Sequence, residues 1–73
     1  MNDQAKFSTQ VKAVRQELSM SQEELAREIG VSFATLNRWE NAKTSPSKLG
    51  RTQFEKACAR MARRGNLAAN PFA

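Results

Sequence analysis

The chain has no histidine and no tyrosine, and Cys58 is its single cysteine. Without histidine there is no imidazole to ligate a metal, to act as a base near neutral pH or to activate a thiol. One cysteine excludes an internal disulfide and leaves too few soft ligands for a common zinc cluster. Cys58 therefore reads as a small core residue. Glycine occurs three times and proline twice, and no glycine-rich phosphate loop is present. These absences remove the usual nucleophile, base and phosphate cradle of an enzyme. No catalytic residue, cofactor or metal site is expected. No apolar run is long enough to cross a bilayer, and residues 1–6 lack the apolar stretch of a signal peptide. Period-two alternation of β-branched residues is absent, which argues against strands, and there are no internal repeats. A reducing, cytoplasmic location follows as the expectation.

Basic charge, by contrast, is in surplus. The chain has 73 residues, enough for one domain with a small core, and a net charge of +5. Residues 1–20 carry Lys6, Lys12 and Arg15 against Asp3 and Glu17. Residues 21–46 carry Arg27, Arg38 and Lys43 against Glu23, Glu24, Glu28 and Glu40, a slight acidic excess. Residues 47–73 carry Lys48, Arg51, Lys56, Arg60, Arg63 and Arg64 against Glu55 alone. A basic chain suits a polyanionic partner. A solvated basic helix has the same composition, so charge alone decides nothing.

Apolar spacing predicts four helices. Phe7, Val11, Val14 and Leu18 recur at helical intervals over about 8–18. A second helix over about 22–29 turns Leu25, Ala26 and Ile29 inward. A third over about 33–41 turns Leu36 and Trp39 to one side. Residues 43–47 form a loop of turn-favouring types. A fourth helix follows Ser45 or Ser47 as cap, with Pro46 suited to its first turn, and aligns Phe54, Ala57, Cys58 and Met61. Gly50 is a poor helix residue and predicts an irregular first turn. The expected core is Val11, Val14, Leu18, Leu25, Ala26, Ile29, Val31, Leu36, Trp39, Phe54, Ala57 and Met61. Ala26 supplies the small side chain that two crossing helices need. The expected division is a domain over 1–65 and a flexible tail over 66–73. The initial methionine and that tail suggest a free-standing chain.

The most informative stretch is 21–41, where each of two short helices has its own start signal. Ser21 caps the first, and Glu24 completes a capping box. Met20 and Leu25 have the spacing of a hydrophobic staple, repeated by Val31 and Leu36 around the second cap, Ser32. Gly30 stops the first helix in the left-handed conformation. Only Val31 separates Gly30 from Ser32. So short a link forces a steep crossing, the geometry of a helix-turn-helix.

Residues 15–46 resemble the phage lambda-repressor-like, Cro/CI-type helix-turn-helix family. The matching residues are Ser21-Gln22-Glu23-Glu24-Leu25-Ala26, Gly30-Val31-Ser32 and Leu36-Asn37-Arg38-Trp39-Glu40-Asn41-Ala42-Lys43. The resemblance implies an all-α, compact domain of four to five helices that places its recognition helix in the major groove of DNA. By resemblance Phe33, Ala34 and Arg38 reach base edges, with Asn37 close by. Their chemistry agrees: Arg38 suits guanine, Asn37 suits adenine, and Phe33 and Ala34 can pack on thymine methyls. Phosphate contacts fall to Gln22, Ser32, Thr35, Asn41, Lys43 and Thr44, with Lys48 and Arg51 as an extension of the footprint. The resemblance also implies that Glu40 pairs with Arg15 and props the recognition helix. Glu23, Glu24 and Glu28 are expected to face solvent. Two features depart from the family. Ala42 stands where glycine is usual, predicting a less left-handed helix end, and no fifth helix is recognisable.

The expected function is sequence-specific binding of double-stranded DNA as a small transcriptional regulator of phage or prokaryotic origin, a homodimer on DNA. The alternatives are an antitoxin-type module that holds a protein partner and a DNA-targeting domain of a larger assembly. The basic flank of the fourth helix, Arg60, Arg63 and Arg64, reads as a dimer contact, an extra backbone grip or a solvated helix end.

Overall fold

A computed structural model describes residues 3–68 and contains four helices: α1 (Asp3–Leu18), α2 (Gln22–Ile29), α3 (Phe33–Glu40) and α4 (Lys48–Arg63). Among the described residues there is no strand, and no helix is long and apolar enough to cross a membrane. The chain folds as an all-α helix-turn-helix domain, with α2 and α3 as the motif and α1 and α4 packed against it.

Local signals set most boundaries. The Ser21 side chain accepts from the Glu24 N–H while the Glu24 carboxylate accepts from the Ser21 N–H at 2.8 Å, a complete capping box. Ser32 accepts from the Thr35 N–H at 3.1 Å, and Ser47, not Ser45, caps α4 by accepting from the Gly50 N–H at 3.0 Å. Pro46 therefore precedes the α4 cap instead of entering the first turn. Met20 and Val31, the outer halves of the two staples, are half-buried against the core.

The first helix starts five residues earlier than its apolar spacing predicts, at Asp3 rather than Ser8. Ser8 does not cap a helix start. It is buried, and its hydroxyl donates to the Glu40 carbonyl, tying α1 to the end of α3.

The helix ends share one device. Ser19 follows α1, Gly30 follows α2, Ala42 lies just past α3 and Gly65 just past α4, all with positive φ. After α3, the Ala42 N–H bonds the Trp39 carbonyl and the Lys43 N–H the Arg38 carbonyl, both at 3.2 Å. This is the Schellman pattern that normally recruits glycine. Ala42 adopts it at φ 55° without being glycine. The α3 end is thus fully left-handed, contrary to what the alanine predicts.

The core is centred on Phe7, Trp39 and Phe54, whose rings meet edge to face at centroid separations of 5.2, 5.4 and 6.4 Å. Leu25, Ala26, Ile29, Leu36, Ala57, Cys58 and Met61 fill the space around them. Of the expected core, Leu18 and Val31 are only partly buried. Gly50 lies in regular helix, and the reason is space: a Cβ there would come within 2.9 Å of Trp39 Cζ2. Of the expected tail, residues 69–73 lie outside the described residues. Residues 66–68 are placed. Leu67 is buried at 3 % exposure, and the Ala68 N–H donates to Glu17 at 2.7 Å.

Candidate nucleic-acid interface

The short link at Gly30 and Val31 leaves one side of α3 uncovered. Leu36, Trp39 and Glu40 point into the protein, whereas Phe33, Ala34 and Arg38 point out. Phe33 is 48 % exposed although it is a large apolar residue. Nothing in the core requires it, since Val31 and Leu36 already serve the staple.

Polar residues surround this face. The Ser32 hydroxyl donates to Thr35 Oγ1 at 3.0 Å, so these two hydroxyls form one unit at the start of α3. Asn37 is half-buried. Its Nδ2 donates to Gln22 Oε1 at 3.2 Å, and its Oδ1 accepts from Asn41 Nδ2 at 3.0 Å. Asn41, Lys43 and Thr44 are exposed beyond the helix end. An open cleft of about 350 Å³ runs beside them, lined by Thr35, Arg38, Thr44, Ser47 and Gln53, with Trp39 at its wall.

The electrostatics of the face depend on where its acids go. Glu40 is 3 % exposed and receives two hydrogen bonds from Arg15, Nε to Oε2 at 2.7 Å and Nη2 to Oε1 at 3.0 Å. The bond to Glu40 raises the Arg15 pKa above the ordinary guanidinium value, so the guanidinium keeps its charge. Glu28 is not a solvent-facing acid. Arg60 of α4 bonds both its carboxylate, at 3.0 Å, and its backbone carbonyl, at 2.6 Å, and Arg64 lies at 3.7 Å. Glu24 is held by its capping box, and the Ser21 N–H lowers its pKa below the ordinary carboxylate value. The apparent acidity of residues 21–46 is thus largely cancelled by arginines from α1 and α4. Arg38 and Lys43 take part in no ion pair among the described residues.

Every candidate contact residue lies on or beside this face, but they are not equally free. Phe33, Ala34, Arg38, Asn41, Lys43 and Thr44 are exposed. Gln22 and Asn37 engage each other, as do Ser32 and Thr35. Lys48 is exposed, whereas the Arg51 guanidinium packs over the Phe7 ring at 4.9 Å and belongs partly to the core. Two of the basic-flank residues, Arg60 and Arg64, are tied to Glu28, while Arg63 is exposed. The Glu28 link joins residues 32 apart in sequence and leaves no local signal. The same holds for Gln53 in the cleft and for the Ser8 tie. No group of acidic or cysteine side chains that could hold a metal occurs among the described residues.

Comparison with known proteins agrees with this architecture. No curated protein and no solved structure gives a significant match. A family model described as helix-turn-helix matches residues 11–56, from the middle of α1 through the first half of α4. That match takes in both caps of the motif, the exposed face of α3 and the Arg15–Glu40 pair, and the chain accordingly belongs to the Cro/CI-type, lambda-repressor-like helix-turn-helix family of DNA-binding domains.

Proposed function

We propose that this chain is a sequence-specific regulator of transcription that inserts α3 into the major groove of double-stranded DNA. The observation that carries the reading is the outer face of α3, where Phe33, Ala34 and Arg38 are exposed and the nearby acid Glu40 is turned inward onto Arg15. An arginine without an ion pair can donate two parallel hydrogen bonds to guanine O6 and N7. Phe33 and Ala34 offer apolar surface to thymine methyls. Gln22, the Ser32–Thr35 unit, Asn41, Lys43 and Thr44 flank these residues and grip phosphates, which fixes register without reading sequence. Two copies bind a palindrome with half-sites about one helical turn apart.

The test is selection from a randomised duplex library at near-physiological salt, followed by sequencing. An enriched palindrome supports a sequence-reading dimer, and Arg38→Ala then relaxes one base position at a cost of about 1–3 kcal/mol. Weak binding with a steep salt slope and no enriched sequence reflects only a basic surface. That result overturns the reading and favours a protein partner.

A further inference from the structure

We infer that Asn37 is a positioning residue for phosphate contact, acting through Gln22, and not a reader of adenine. The inference rests on the docking of α3 proposed for this chain. Its observation is a chain of three primary amides. Asn41 Nδ2 donates to Asn37 Oδ1 at 3.0 Å, and Asn37 Nδ2 donates to Gln22 Oε1 at 3.2 Å. The far end is itself anchored, because the Asn41 backbone N–H bonds the Asn37 and Trp39 carbonyls at the close of α3. The chain therefore runs in one direction, from the stop of α3 across its outer face to the first residue of α2.

Direction matters because an amide has two unlike ends. A carboxamide offers an acceptor oxygen on one side and two N–H donors on the other. Phosphate oxygens accept and cannot donate. A free glutamine side chain can turn either end outward, and with its oxygen outward it repels a phosphate. When Asn37 occupies Gln22 Oε1, the Gln22 NH₂ group becomes the outward end. An amide of either polarity becomes a dedicated donor. Gln22 also gives up rotamer freedom before DNA arrives, so less is lost on binding.

The same bonds weigh against base reading by Asn37. Recognition of adenine uses the amide oxygen and nitrogen of an asparagine together, in one plane, against N6 and N7. Both of those atoms already have partners, and Asn37 is half-buried, unlike Phe33, Ala34 and Arg38. Turning to a base would abandon both neighbours and release Gln22.

The experiment is a double-mutant cycle on the whole chain, with Gln22→Ala, Asn37→Ala and the double variant. Affinity is measured for the selected duplex and for its single-base variants. Alanine is the better helix former at position 37, so that variant keeps its fold, and a melting curve verifies this. Asn37→Ala should weaken binding to every duplex alike, by about three- to tenfold, the range of one ordinary hydrogen bond. The base preferences should not change, and the double variant should bind no worse than the weaker single one. If Asn37→Ala flattens the preference at one base position, and its effect multiplies with that of Gln22→Ala, Asn37 reads a base and the inference fails. A wild-type chain that selects no duplex at all overturns the docking of α3 first, and the inference with it.

Discussion

Arg15 on α1 holds Glu40 at the end of α3 through two parallel hydrogen bonds of 2.7 and 3.0 Å. With the Ser8 hydroxyl on the Glu40 carbonyl, the same residue is gripped by side chain and backbone. This fixes α3 relative to α1 while turning a negative charge away from its outer face.

Glu40→Ala should therefore damage fold and binding together. Removing one partner of a buried pair costs about 3–5 kcal/mol. The Arg15 side chain is 27 % exposed and can turn partly to water, which reduces the expected loss to about 2 kcal/mol. For a domain of this size that is a fall in Tm of roughly 10 °C. Melting and duplex affinity measured on the same sample give the check. An unchanged Tm with lost binding would make Glu40 a DNA contact instead.

Ala42→Gly should stabilise the protein. Ala42 has φ 55° in the turn that closes α3. An L side chain in the left-handed region costs about 1–2 kcal/mol, which glycine avoids. Glycine is also freer in the unfolded chain, and that freedom offsets part of the gain. A net increase of about 0.5–1 kcal/mol remains. Thermal melting reads it as a rise of several degrees, and a fall would mean that the methyl group packs better than the backbone is strained.

Gly50→Ala should do the opposite, although helix propensity alone favours alanine by about 1 kcal/mol. The new Cβ would sit 2.9 Å from Trp39 Cζ2 and 3.2 Å from Ser47 Oγ. Trp39 cannot easily yield, because its ring is packed edge-on against Phe7 and Phe54. Overpacking of this kind costs about 1–3 kcal/mol, so the clash should win. The Tm is expected to fall, and indole fluorescence should shift as Trp39 moves. A higher Tm would show that the ring has room.

The contrast between these two positions shows what the sequence could and could not reveal. Ser21 with Glu24, Ser32, Gly30 and the apolar spacing act within one turn of helix, so the motif and the exposed side of α3 were legible from neighbouring residues. Gly50 looked like a helix defect because Trp39, its reason, lies eleven positions away on another helix. Leu67 looked like part of a tail because its partners belong to the folded core. Glu28 looked like a solvent-facing acid for the same reason: its partner Arg60 comes from α4, elsewhere in the chain. The expected Arg15–Glu40 pairing came from the family resemblance, not from any local pattern.

Cys58 offers a probe of how α4 opens. Its side chain is fully buried, and that burial, with a smaller contribution from Glu55, pushes the thiol pKa up from the ordinary 9.0 to about 11. Only the thiolate reacts readily with a disulfide reagent, so the folded protein should be nearly inert at neutral pH. Labelling should then follow the fraction of molecules that open around α4, and should speed up in Glu40→Ala. The sign of the pH effect follows from which state holds the proton longer. Between about pH 9 and 11 the unfolded chain releases its thiol proton while the folded chain keeps it, so stability falls as pH rises. The difference in Tm between the wild type and Cys58→Ala should accordingly shrink across that window. Rapid labelling of the intact fold at pH 7, or a difference that stays constant through pH 11, would place the thiol nearer to solvent than α4 puts it.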